Sequence, residues 1–495
     1  MSEDALVNTG AAVAWPSDLS AGIAVRRMQA KLHRWAGENA SRRFGDLFNL
    51  VYDPAFLVVA WQRVSANKGA RTPGIDRATA ATVETWIGTG AFLAQIRDSL
   101  KAGEFRPVEV RQVRIPKANG KLRKLGIPTI ADRVVQASLK LVLEPVFEAD
   151  FKSCSYGFRP NRRAHDAIAE IHCLASAPRN HEWVLEADVR ACFDEIDHTA
   201  LITRLRARIK DKRVCALVRA FLKAGVLTEF GGREETLTGT PQGGILSPLL
   251  ANIALSALDD HFDRQRQQEM GTRAQRQKRT KHGRGNWKLI RYADDFVLMV
   301  SGDRRHAEEL RDEVAATLAP LGLRLAPEKT RVVHIDEGFE FLGFHIRRQR
   351  KRGTNKQHVY TRPSRKAIAA IMGKVKVETC GSTRFKDLAE LLTRLNQILR
   401  GWAGYFRHGV SKRTFGTIDE YAWHRIVRWI RGKYKGKHPV RMKEIRRRFC
   451  STGWRLAWQG VEFTGASSIA VTRYRYRGSK IPAPWTTDTA DATCS

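Results

Sequence analysis

Residues 288–300 read KLIRYADDFVLMV. Two runs of buried-strand type, Lys288 to Tyr292 and Phe296 to Val300, meet across Ala293, Asp294 and Asp295, which predicts a tight hairpin with two adjacent carboxylates at its tip. Like charges side by side repel unless something positive lies between them. Magnesium suits that place, because it is hard, prefers carboxylate oxygen and bridges protein to substrate phosphates. Upstream, Trp183 to Val189 reads as a further strand carrying Asp188. Three carboxylates holding two such ions fit in-line transfer, one ion activating a hydroxyl and the other stabilising a leaving pyrophosphate.

A Tyr-x-Asp-Asp string on its own is weak, since an Asp-Asp turn is often merely solvated. Its neighbours give it weight. Val110 to Pro116 and Leu122 to Ile127 predict a second hairpin turning at Gly120, and Thr129 with Asp132 predicts the capped start of a helix that buries Ile130, Val134, Leu139 and Val142. His306 to Leu321 predicts a helix stopped by Gly322, and Ile23 to Trp35 an earlier one. Asn67 to Asp76 is dense in turn formers and predicts a loop. Arg264 to Lys288, basic and Gln-rich, is expected to be a mobile inserted loop, and the residues from Ala483 onward a frayed tail. Strands and helices mix without a β-α-β rhythm, so the class is α+β.

The chain has 495 residues, 43% of them hydrophobic, enough for two to four structural units. Its 86 Lys and Arg against 51 Asp and Glu leave a formal charge of +35, which implies a polyanionic partner, with nucleic acid first. A membrane is disfavoured: the most apolar stretch, Gly243 to Leu258, is broken by polar residues and too short to span. Met1 to Gly10 is polar and acidic rather than signal-like, so a cytoplasmic location is expected. The seven cysteines are scattered with no C-x-x-C pair, which favours free thiols over zinc or disulfides. Residues 347–449 concentrate 29 Lys or Arg against 6 Asp or Glu, a separate, mostly helical, basic module. Within it Trp402, Tyr405, Phe406, Trp423, Trp429 and Tyr434 fall at helical spacing, predicting a small core with a basic outer face.

From about Phe44 to Trp485 the ordered series RIPKANGKLRKLGIPT, SYGFRP, ADVRACFDEID, TPQGGILSPLLANI, RYADDFVLMV, GLRLAPEKT, FEFLGFHI, LNQILRGWAGYF and RWIRGKY resembles the group II intron-encoded reverse transcriptases and maturases of bacterial type. The resemblance implies a right-hand polymerase: an N-terminal extension over 1–60, fingers over 61–182, a palm on an antiparallel sheet over 183–346, and a helical thumb or maturase domain over 347–441. A DNA-binding appendage and tail would follow over 442–495. No paired Cys and His spacing follows Trp454, so the endonuclease that many relatives append is not expected.

By the same resemblance Asp188, Asp294 and Asp295 are the catalytic carboxylates, Asp188 and Asp294 the principal ligands of two Mg2+ ions (Mn2+ as substitute) and Asp295 a nearby third. Lys117, Arg123, Phe193, Gln242 and Lys329 face the incoming nucleotide: Lys117 and Arg123 on its triphosphate, Phe193 under the sugar against a 2′-hydroxyl, Lys329 as donor to the leaving pyrophosphate. The SYGFR segment, residues 155–159, lies near the template and nucleotide pocket, and the loop Asn67 to Asp76 helps grip template and primer. Arg159, Arg407, Arg425, Arg428 and Arg431 are expected to touch nucleic acid. The implied partners are intron RNA, an RNA template with a DNA or RNA primer, dNTPs and target DNA. The activity implied is RNA-directed DNA synthesis together with assistance to splicing and mobility. A splicing-only RNA-binding maturase, an RNA-copying polymerase, and a host-domesticated enzyme of repair or defence are the alternatives. Three intact carboxylates in a basic chain argue that copying is retained.

Overall fold

The computed structural model describes residues 14–116, 120, 122–228, 232–240, 243–434, 440–478 and 481–486. In chain order the strands that matter are β1 (Val110–Pro116), β2 (Leu122–Ile127), β3 (Trp183–Asp188), β4 (Val226–Leu227), β5 (Arg233–Glu234), β6 (Asn286–Tyr292), β7 (Asp295–Ser301), β8 (Arg331–His334), β9 (Phe339–Phe341), β10 (Phe344–Arg350) and β11 (Gln357–Pro363).

The central sheet runs β6-β7-β3-β8, antiparallel throughout. Its strands are apolar on both faces, and successive residues serve different cores. Leu185, Phe296, Leu298 and Val300 face a core shared with the N-terminal helices. Val184, Val297, Met299 and Val333 face a second core, shared with β9 to β11 and the C-terminal helices. The period of two in a strand makes this division, and it explains why these segments read as continuous apolar runs.

Both predicted hairpins are present, with β1 and β2 paired from Arg111↔Ile127 to Pro116↔Leu122. The Thr129 side chain caps the helix Ile130–Glu148, accepting from the Asp132 N–H at 3.1 Å. The helix Arg304–Leu318 passes through one 3-10 turn and stops at Gly322, whose φ of +73° lies in the left-handed region that glycine tolerates.

Five expectations are corrected. The short strands β4 and β5 join the β2-β1 sheet, β1 and β4 lying parallel, so chain from inside the 183–346 interval completes the finger sheet. Residues 1–60 are not a separate extension over their described part: the helix Pro54–Ser65 crosses residue 60, and Val25, Leu32 and Leu57 lie in one core with Val134 and Leu139. The basic insert is helical, Ser247–Gln268 and then Arg273–Lys281, the latter opened by a Thr272–Gln275 capping box. Its many charges obscured helical periodicity, because this helix buries no residue. The C-terminal segment is a strap rather than an appendage, its Trp485 indole donating to Gln29 Oε1 at 3.2 Å in the first helix, Asp18–Glu38. The helix Met442–Phe449 buries Ile445 and Phe449 in the thumb core, so the thumb extends past 441.

Phe406 and Trp429 are buried in that core, while Trp402, Tyr405, Trp423 and Tyr434 pack half-buried against it. The six described cysteines are free thiols, and Cys494 lies outside the described residues. No helix among the described residues is long and apolar enough to cross a membrane.

Candidate active site

Asp188 ends β3 and stands opposite Asp295 at the start of β7, and Tyr292 pairs with Asp295 to close the two-residue turn Ala293–Asp294. Strand pairing thus brings the three predicted aspartates to one end of the palm sheet, at its two inner strands. Desolvation, and then repulsion from Asp188, raises the Asp294 carboxyl above its usual range, with Arg123 and Lys329 opposing. Asp295 is pushed up to about 6, by desolvation first and then by Asp294 and Asp188. Its side chain keeps contact with water. These oxygens form a donor set that a hard divalent cation fits, since such an ion relieves the repulsion. Among the described residues no three or more His, Cys, Asp or Glu side chains are grouped so that they could hold a metal ion by themselves. An ion shared with substrate phosphates and water does not require that.

The segment GLRLAPEKT runs beside β3. Ala326 N–H donates to the Asp188 carbonyl at 2.9 Å, the 3-10 turn Pro327–Lys329 follows, and the Lys329 ammonium bonds Asp188 Oδ2. That bond raises the Lys329 pKa and keeps it protonated. Arg123, exposed on β2, is near enough to Asp294 to lower its carboxyl.

Phe193 sits half-buried in the short turn Cys192–Glu195. Its carbonyl accepts the Thr240 N–H at 2.5 Å, and a Cβ on Gly239 would stand 2.5 Å from that carbonyl oxygen, so only glycine lets the two loops close. A Cβ on Gly243 would likewise meet the Gly126 carbonyl of β2 at 2.5 Å. Turn, loop and finger hairpin are therefore locked together. Lys117 and Gln242 lie outside the described residues.

What sequence reasoning missed is the support behind the acidic turn. Arg291 is fully buried; its guanidinium donates to Asp259 Oδ1 at 2.7 Å, Asn252 Oδ1 at 3.0 Å, Ser155 Oγ at 2.8 Å and the Ala293 carbonyl at 2.9 Å. Ala293 adopts φ +59°, a conformation that costs a non-glycine residue about 1–2 kcal/mol. The SYGF segment backs the same turn: Tyr156 N–H donates to the Arg291 carbonyl at 2.8 Å, and a Cβ on Gly157 would lie 2.3 Å from the Ala293 nitrogen. Asn252 donates to the Gly157 carbonyl at 2.9 Å. The only sequence signal was an arginine inside a strand of buried type.

Two expected nucleic-acid contacts are corrected. Arg159 is buried, and its donors go to Glu148 and to the carbonyls of Lys152, Phe151 and Ser155. Arg425 staples the end of the helix Arg365–Glu378, donating to the Thr379 hydroxyl at 3.0 Å and to the carbonyls of Lys376 and Thr379 at 3.2 Å. Arg407 is half-buried, whereas Arg428 and Arg431 are exposed on the helix Lys412–Lys433.

Residues 115–346 match the model of the family described as reverse transcriptase (RNA-dependent DNA polymerase), and residues 368–449 the group II intron, maturase-specific domain. Protein YkfC of Escherichia coli is 35% identical over 378 residues, 71% of this chain and 98% of that protein. The group II intron-encoded protein LtrA of Lactococcus lactis is 33% identical over 65% of this chain but 59% of its own length. An uncharacterized 91 kDa protein in the cob intron of Schizosaccharomyces pombe is 32% identical over 59% of this chain and 40% of its own.

Proposed function

The chain belongs to the group II intron-encoded reverse transcriptases and maturases, and on that premise we propose that it copies intron RNA into DNA at Asp188, Asp294 and Asp295. It is an RNA-directed DNA polymerase with a maturase domain, and nucleic acid is its substrate. The observation that carries the site is the register Asp188↔Asp295 beside the Ala293–Asp294 turn, which gathers three carboxylates at one end of the sheet.

Asp188 and Asp294 are the principal ligands in this reading, and Asp295 supports them. Two Mg2+ ions bound there would supply Lewis acidity to the attacking 3′-hydroxyl and the leaving pyrophosphate. Arg123 neutralises triphosphate charge as a forked donor, joined by Lys117 and Gln242. Lys329, kept protonated by Asp188, is the proton source for the leaving group. Phe193, whose main-chain carbonyl accepts the Thr240 N–H, is the steric gate against a 2′-hydroxyl in this reading. The thumb, through Arg428, Arg431 and Arg407, binds intron RNA to assist splicing and mobility. RNA template with its primer, dNTPs and target DNA complete the partners, in the cytoplasm.

Primer extension on an RNA template tests this. Deoxynucleotides should be incorporated with magnesium present and ribonucleotides excluded, and Phe193→Ala should admit ribonucleotides. Comparable use of both by the unaltered protein would sink the gate and favour an RNA-copying polymerase.

A further inference from the structure

We propose that a cationic groove at the end of the palm sheet remote from the aspartates is a second RNA-binding site, which takes an unpaired RNA segment while template and primer occupy the active centre. It deepens the maturase reading above and rests on it for the occupant.

The groove consists of two adjoining basins that share Cys173, Ala177 and Tyr476. One, about 1380 Å³, lies between the helix Arg273–Lys281 and the start of β6; the other, about 1090 Å³, lies between β11, the start of the helix Lys412–Lys433 and the C-terminal strap. The first basin is lined by Arg266, Arg273, Arg276, Lys278, Lys281 and Lys288. The acid among them, Glu170, is already engaged by Lys288, Tyr156 and Tyr476. A helix that buries no side chain adds little to packing, yet the Asn286 amide fixes this one through the Arg276 carbonyl at 3.1 Å and Thr280 Oγ1 at 2.9 Å. So many fixed cations need a polyanion to relieve their repulsion.

The strap shows the same arrangement. Residues 473–477 read RYRYR. Tyr474 donates to Asp166 Oδ1 at 2.9 Å, Tyr476 donates to Glu170, and Arg477 forks onto Asp166 at 2.8 and 2.6 Å. Those contacts neutralise the two acids of the helix Ala164–Ala175 and leave Arg473 and Arg475 exposed along the rim. His358 and Tyr360 line the same basin, and rings interleaved with cations suit stacked bases and their phosphates. An acidic protein would use the charges but not the rings.

Separation from chemistry follows from register. The pair Asp188↔Asp295 is five residues along the strands from Trp183↔Val300. At about 3.3 Å per residue that is roughly 17 Å, so an occupant of the first basin, which Asn286 and Ser301 line at that strand end, does not compete with nucleotide.

The test uses the full chain, saturated with an unlabelled RNA template annealed to a DNA primer. A labelled 20-nucleotide oligo(U) is then titrated at several salt concentrations. The unaltered protein should bind it. The variant Arg273→Gln, Lys278→Gln, Lys281→Gln, Arg473→Gln, Arg475→Gln changes exposed side chains only, and should bind it at least about tenfold more weakly at physiological salt. Its log–log salt slope should fall by roughly 3.5, and primer extension should keep its rate. A variant exchanging Arg for Lys and Lys for Arg at the same positions should bind normally. Unchanged oligo(U) binding overturns the proposal, as does a parallel loss of primer extension, which would place template and primer in the groove. Polyglutamate competing as well as RNA overturns the choice of occupant. Failure of the unaltered protein to extend a primer would count against the polymerase reading alone, because oligo(U) binding is scored separately.

Discussion

The palm hairpin and the thumb both carry many charges, and they place them oppositely. In the palm, Arg291 and Asp259 are wholly removed from water and paired. In the thumb, the helix Lys412–Lys433 turns Ala422, Ile426, Trp429 and Ile430 inward and leaves Arg428 and Arg431 outside. Buried charge is costly to desolvate, so it persists where several partners fix its geometry, and here the geometry fixed is that of the acidic turn. Exposed charge costs little and stays available to an RNA phosphate. One region uses charge to hold a shape and the other to recognise a partner.

The largest effect expected is from Asp294→Asn. Losing a carboxylate ligand should remove several kcal/mol of transition-state stabilisation, cutting DNA synthesis by roughly a thousandfold. RNA affinity, set by surface cations, should be unchanged; an equal loss of binding, measured by filter retention, would break the contrast.

Arg291→Met comes next. It leaves Asp259 buried without its cation, at a cost of about 3–5 kcal/mol in denaturant unfolding. Adding Asp259→Leu should restore most of that stability but not activity, because the Ala293 carbonyl still lacks its donor. Activity returning with stability would show that Arg291 is structural only.

Asp132 is a sharper test of buried charge. Burial pushes its carboxyl up to about 6 from 3.8, against the hydroxyl that Thr129 donates at 2.8 Å. A folded pKa above the unfolded one means that this contribution to stability is complete below pH 3.8 and is lost as pH rises through about 6. Asp132→Asn, neutral at every pH, should therefore stabilise the protein above pH 6 by up to about 3 kcal/mol and change little at pH 4. Thermal melting across that range would measure it, and a uniform loss of stability would refute it.

The smallest effects separate two thumb arginine classes. Arg428→Gln with Arg431→Gln should lower the salt slope of RNA binding by about one for each phosphate no longer neutralised, with stability unchanged. Arg425→Gln should do the reverse, costing about 1 kcal/mol through its missing hydrogen bonds. If Arg425 moved the slope as much as Arg428, the line between stapling and recognition would fall.

The acidic turn and both hairpins were legible because they rest on short-range signals: a period of two, turn residues at fixed offsets, and acidic residues inside apolar runs. Arg159 and Arg425 were misjudged for the converse reason. Whether a guanidinium meets water or a carbonyl depends on which distant segment packs over it, and an arginine looks the same in either case. The helix Arg273–Lys281 escaped notice because it has no apolar face to reveal its period.

The sequence by itself determined the fold class, the acidic hairpin, the capped helices and the basic surplus, since each is written in neighbouring residues. Only the tertiary structure decided that Asp188 pairs opposite Asp295, that Arg291 grips Asp259 and the turn, and that the C-terminal strap lies on Asp166 and Glu170. Apart from the bond between Arg291 and Ala293, these contacts join residues dozens to hundreds of positions apart. Chain folding, driven by burial of the two cores on either face of one sheet, selects them, and no local pattern encodes them.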